Sequence, residues 1–228
     1  MAAPCLFFVK PRLPPAIANA LRPQDLSFVT CLPFWLFQLG NIGNALGCFL
    51  PSLWMPAFAN DINLPSHAGP LSLAFYNSGY GIGGILIGSI ADKYHVSVAI
   101  SITTVGGMIA AFVFWGLATS QAMLYVFAIL WGVVSGGFNA TWPGCAAVMR
   151  RHEPNGNVDT GIVIGIMAAG KGVGEVASGP LSAKVLEAGW TTHAHFAYGT
   201  AYGGLIVFCG LSAMLGGLAS FGRLLKMI

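Results

Sequence analysis

Two charges stand in a stretch of chain that is otherwise almost free of them. Lys171 and Glu175 lie four residues apart in an apolar, glycine-rich segment. On a helix that spacing places them on one face, close enough to touch, although Lys before Glu is the weaker orientation for such a pair. A lysine at the centre of a membrane helix costs roughly 2.5–3.5 kcal/mol on insertion scales, so it should face protein or a water-filled cavity. Two chemistries fit. The pair can neutralise itself and hold helix packing. Alternatively it forms a solute or proton site, in which Lys171 attracts an anionic group and Glu175 tunes it or carries a proton. Tyr76, Asn77 and Asn139 are the candidate polar lining. Trp142-Pro143 removes a backbone donor and exposes a carbonyl, a common way to bend a helix around a cavity. A third group is Gly88-x-x-x-Asp92-Lys93. An aspartate at a helix C-terminus opposes the macrodipole and so needs a basic side chain or a neighbouring helix N-terminus as partner.

The elements that must position these residues follow from composition. Charged residues make up 7% of 228 and hydrophobic residues 56%, with a mean hydropathy of +0.74. Soluble domains carry about 25% charged residues, so the bilayer is the solvent for most of this chain. Disorder is excluded because it needs low hydrophobicity and high charge. The net charge of +3 is too small and scattered for a nucleic-acid partner. Crossing about 30 Å of hydrocarbon takes roughly 20 helical residues. Six apolar runs of that length can be marked, at 34–58, 69–91, 96–118, 122–148, 160–183 and 196–221. The expectation is an all-α membrane protein, a six-helix transmembrane bundle over 34–221. Residues 1–33 read as the stump of an earlier helix plus a cytoplasmic linker, structureless between Lys10 and Asp25, and 222–228 as a cytoplasmic tail.

Basic residues set the orientation. Lys10, Arg12, Arg22, Lys93, Arg150, Arg151, Arg223 and Lys226 share one side of a six-span topology, and Lys184 alone takes the other. Both termini are therefore expected in the cytoplasm, with no particular membrane indicated. Glycines at 79/83, 84/88, 132/136, 161/165, 170/174 and 199/203 recur every four residues. Such faces let helix backbones approach closely in lipid.

Several motifs fail on context. Residues 165–172 approximate a phosphate-binding loop and 172–177 a dinucleotide fingerprint, but both lie inside a membrane span with no preceding strand. Asn139-Ala-Thr141 is a glycosylation sequon buried in the fourth span. The cysteines at 5, 31, 48, 145 and 209 are odd in number and form no C-x-x-C, and they read as small hydrophobes rather than metal ligands. No G-x-S-x-G, H-E-x-x-H or paired aspartate supports an enzyme, and no cofactor or metal is expected.

The loop sequence Gly88-x-x-x-Asp92-Lys93 resembles the cytoplasmic loop motif of the major facilitator superfamily, with His95-Val96 in place of its usual Gly-Arg. Further segments resemble the fungal monocarboxylate-transporter-like branch of that family. These are Phe49-Leu-Pro-Ser-Leu-Trp-Met-Pro-Ala-Phe-Ala59, Gly136-Gly-Phe-Asn-Ala-Thr-Trp-Pro-Gly144, Gly170-Lys-Gly-Val-Gly174 and Ser178-Gly-Pro-Leu-Ser182. Phe8-Val-Lys-Pro-Arg-Leu-Pro14 and Asp25-Leu-Ser-Phe28 are similar to the branch's central cytoplasmic loop. Their order implies helices seven to twelve, the carboxy-terminal half of a twelve-helix transporter. The branch often has an arginine four residues before the loop-motif glycine; Gly84 stands there, which argues against a monocarboxylate substrate. It commonly places Arg and Asn where Lys171 and Glu175 stand.

The resemblance implies a transmembrane solute transporter working by alternating access on a small organic solute, with a proton as candidate coupling ion. The implied partners are the bilayer and either a missing amino-terminal half or a second copy of the chain. The competing expectation is a truncated, non-transporting membrane protein that associates with others.

Overall fold

The computed structural model describes residues 26–152, 158–189, 194–218 and 220. The expected stump and linker before Asp25 and the tail at 222–228 lie outside the described residues. Among the described residues the chain is helical, with no strand. It is an all-α membrane bundle. Four helical stretches are long and apolar enough to cross a bilayer: Leu32–Asp61, Val96–Trp115, Gln121–Arg151 and Thr160–Glu187. Ala68–Lys93 has the length, but six glycines and Tyr76-Asn77-Ser78 dilute its hydropathy. Gly203–Gly216 is apolar but shorter.

The first stretch is divided at Phe49 into α1 (Leu32–Cys48) and α2 (Leu50–Asp61). Pro51 has no N–H for the Gly47 carbonyl, and the ladder opens there. The freed acceptors are taken by other helices: the Cys209 thiol donates to Gly47 O at 3.6 Å and the Trp131 indole to Cys48 O at 3.0 Å. The third stretch is α4 (Val96–Ile109), continued by a wider turn over Ala110–Trp115, where Gly116 N donates to Ala111 O at 3.1 Å. The fourth expected span is also interrupted. α5 (Gln121–Asn139) ends, the chain tightens through Ala140-Thr141, and α6 (Trp142–His152) starts with Pro143 in its first turn. The fifth stretch is α7 (Thr160–Glu187), whose start is capped by Asp159 Oδ1 accepting from Gly161 N at 2.7 Å.

The last expected span begins irregularly. Its expected start, Phe196, has φ of +62° and opens a short 3-10 turn ending at Gly199. Thr200 then accepts at its hydroxyl from Tyr202 N, 3.2 Å, and α8 runs from Gly203 to Gly216. The chain is helical again at residues 218 and 220, toward the expected end of the span.

α3 (Ala68–Lys93) and α5 pack most closely. A Cβ on Gly79 or Gly83 would overlap the backbone of Ile129 or Val133, and one on Gly132 or Gly136 that of Tyr76 or Tyr80. The glycine rows thus face each other reciprocally. Buried apolar side chains form two groups. One gathers Phe58, Trp115, Leu124, Phe127 and Leu205; the other gathers Phe28, Phe34, Ile100, Met149 and Val163. They occupy opposite ends of the bundle, because they join opposite ends of α4 and α5.

Candidate functional site

Between the two apolar groups lies polar chemistry. Lys171 Nζ donates to Asn139 Oδ1 at 2.9 Å and lies 3.4 Å from Glu175 Oε1. The Asn139 amide donates in turn to the Tyr80 hydroxyl. One chain of contacts, Tyr80–Asn139–Lys171–Glu175, therefore ties α3, the end of α5 and α7 together. Asn139 can reach because α5 stops at that residue, ahead of the Pro143 break. The lysine side chain is 13% exposed and the glutamate 37%. A lysine so nearly buried needs partners, and a hydrogen bond from a charged donor contributes about 1.5–3 kcal/mol.

Beside this chain opens a cavity of about 270 Å³ lined by Cys48, Phe49, Tyr76, Asn77, Tyr80, Lys171 and Glu175. Its walls come from the α1–α2 break and from the middles of α3 and α7. It therefore sits near mid-height of three long helical stretches. Tyr76 and Tyr80 stand one turn apart with ring centroids 6.2 Å apart.

α1 fixes the rotation of α7. Gln38 Nε2 donates to Ile166 O at 3.1 Å and Asn41 Nδ2 to Met167 O at 2.7 Å, one turn before Lys171. Gly170 and Gly174 leave room for Gln38 and Ala45 on the same face. The opposite side of α7 is open: 22% of its most apolar stretch is buried, against 50% in the other three membrane-length stretches.

The structure gathers Lys171, Glu175, Tyr76 and Asn77 around one cavity, with Asn139 behind Lys171. Asn77 offers little there as a donor, since its amide donates to Leu73 O at 2.8 Å. Sequence reasoning missed Tyr80, Cys48 and Phe49. Tyr80 was within reach of it, standing four residues after Tyr76 on the same helical face. The Gly88–Asp92–Lys93 motif lies elsewhere. Asp92 lines a second cavity, also about 270 Å³, together with Tyr94, His95, Pro143 and Arg151. His95 caps α4 there, its Nδ1 accepting from Ser97 N at 3.3 Å. Trp142 packs against the apolar group around Phe28 and Val163 and does not reach the first cavity. Among the described residues no cluster of His, Cys, Asp or Glu could hold a metal ion.

No family model and no solved structure matches the chain. Among curated proteins, it is 24% identical to the MFS-type transporter pynF of Aspergillus niger, over 93% of this chain and 46% of that protein. It is similar to fungal MFS-type transporters. Identity is 25% to the agnestins efflux protein AgnL12 of Paecilomyces divaricatus, over 90% of this chain and 44% of that protein. It is 28% to the aspyridones efflux protein apdF of Emericella nidulans, over 96% and 41%. The chain spans a little under half the length of these curated relatives. These relatives are named as transporters and efflux proteins rather than enzymes. With the membrane-length helices, the likeness marks an integral membrane protein.

Proposed function

We propose that the chain is the carboxy-terminal six-helix half of a major-facilitator transporter of the monocarboxylate-transporter-like branch, moving a small organic solute by alternating access. The observation that carries this reading is the mid-height cavity closed on one side by Tyr80–Asn139–Lys171–Glu175. Sites in such folds lie near the bilayer midplane between two halves. The helices flanking the cavity support a second half as its missing wall. Ile85 on α3 is 73% exposed and Val176 on α7 is 79% exposed. The relatives' greater length supports the same reading. The second half is either a preceding segment or a second copy of this chain. Two relatives are named efflux proteins, which favours export as the direction.

In this mechanism the solute enters the cavity and engages Lys171, with Glu175 as the group able to exchange a proton with it. Closure on the other half then excludes water before the opposite side opens. The test is flux in proteoliposomes carrying the assembled transporter. Lys171→Ala is expected to abolish flux while leaving expression and membrane insertion intact. Unchanged flux would remove the site and leave the pair a packing role.

A further inference from the structure

The charge balance of the cavity says what kind of solute it takes. Lys171 does not present a bare positive charge, because Glu175 stands 3.4 Å from its Nζ. A carboxylate brought up to the lysine would lie against the glutamate as well. It would lose its hydration for a field that largely cancels. A neutral molecule escapes that penalty.

The hydrogen-bonding edge of the cavity is amphoteric. Of the three ammonium hydrogens of Lys171, one goes to Asn139 and one to Glu175, which leaves one to donate. Tyr80 accepts from Asn139, and its own hydroxyl hydrogen has no acceptor among the described residues. The second carboxylate oxygen of Glu175 has no donor among the described residues. Two donors and one strong acceptor thus face the same space. A hydroxyl group satisfies both kinds, donating to Glu175 while accepting from Lys171 or Tyr80. Phe49, Tyr76 and Tyr80 bring three aromatic rings to a lining completed by Cys48 and Asn77, so a flat ring system fits.

Resting on the solute-cavity reading above, we propose that the site takes a neutral, planar, hydroxylated ring compound, a phenol or enol, in preference to a carboxylate anion. The hydroxyl binds between Glu175 and the Lys171–Tyr80 edge, and the ring lies against Tyr76 and Phe49.

The test uses the full chain in lipid nanodiscs with two probes of matched shape, β-naphthol and β-naphthoate, followed by equilibrium dialysis. Empty nanodiscs measure partition into lipid. At neutral pH the first probe is neutral and the second ionised. Saturable β-naphthol binding is expected, about tenfold tighter than that of β-naphthoate. Tyr80→Phe should weaken β-naphthol binding severalfold. Glu175→Gln uncovers the lysine charge and should reverse the order of the two probes. Equal or tighter wild-type binding of β-naphthoate would overturn the preference while leaving a solute cavity in place. No saturable binding of either probe would overturn the proposal too, and flux in the Lys171→Ala transporter then decides whether the cavity reading survives.

Discussion

At the residue scale, Asn139 is the hinge of the site. It is the only side chain of the four-member chain that both gives and receives, donating to Tyr80 and accepting from Lys171. Replacing it with leucine keeps the volume but leaves the ammonium with Glu175 alone and the Tyr80 oxygen without its donor. Losing hydrogen bonds to a mostly buried charged group costs about 1–3 kcal/mol, so Asn139→Leu should lower the thermal midpoint in detergent. Asn139→Asp should lower it less, because the aspartate still accepts from Lys171. Equal midpoints for wild type and Asn139→Leu would show that the lysine is solvated by water instead. The i,i+4 spacing of Lys171 and Glu175 makes their contact readable from the chain. Their link to Asn139 was not readable, since it spans 32 residues and depends on where α5 stops.

At the element scale, reciprocal glycine rows decide how α3 and α5 meet. A Cβ on Gly83 would overlap Val133 O, whereas one on Gly81 meets nothing within 4 Å. Backbone cannot give way as a side chain does, and overpacking typically costs about 1–3 kcal/mol. Gly83→Ala is therefore expected to destabilise the bundle by that amount and to spread the two helices beside the cavity. Gly81→Ala should stay within about 0.5 kcal/mol of wild type. Thermal unfolding of both variants in the same detergent separates them, and equal losses would mean that α3 packs by another face. The four-residue spacing of Gly79/Gly83 and Gly132/Gly136 points to close packing in the sequence. It does not name the partner, and the same spacing at Gly84/Gly88 meets only loose neighbours at 4.0 and 3.5 Å.

At the scale of the whole molecule, the distribution of basic residues predicts how the bundle sits in the bilayer. In a six-span topology eight of them would fall on one side and Lys184 on the other, with Lys171 inside a helix. A phosphatase or fluorescent reporter fused after Ile228 should report the cytoplasm, and a tag inserted beside Asp61 the opposite side. Finding both on one side would defeat the charge argument and change the span count by one. Asp61 itself is a clue to that far end: its Oδ2 accepts from the Tyr202 hydroxyl at 2.8 Å, joining the end of α2 to the start of α8.

What the sequence alone determined is solvent and periodicity. With 7% charged residues the chain can fold only with lipid around it, and apolar run lengths then specify helices to within a few residues for α3 and α7. Those features depend on local composition. Tertiary structure decided the rest, because it involves which residue faces which. Pro51 and Pro143 announce weakened ladders, but the breaks at Phe49 and Ala140-Thr141 persist because distant groups, Trp131 and Cys209 at the first, take up the freed carbonyls. The late start of α8 depends on the Thr200 turn and the positive φ of Phe196, which hydropathy does not register. Tyr80 joins the site only because α3 lies against α5 closely enough for its hydroxyl to meet Asn139, and a contact across 59 residues has no local signature.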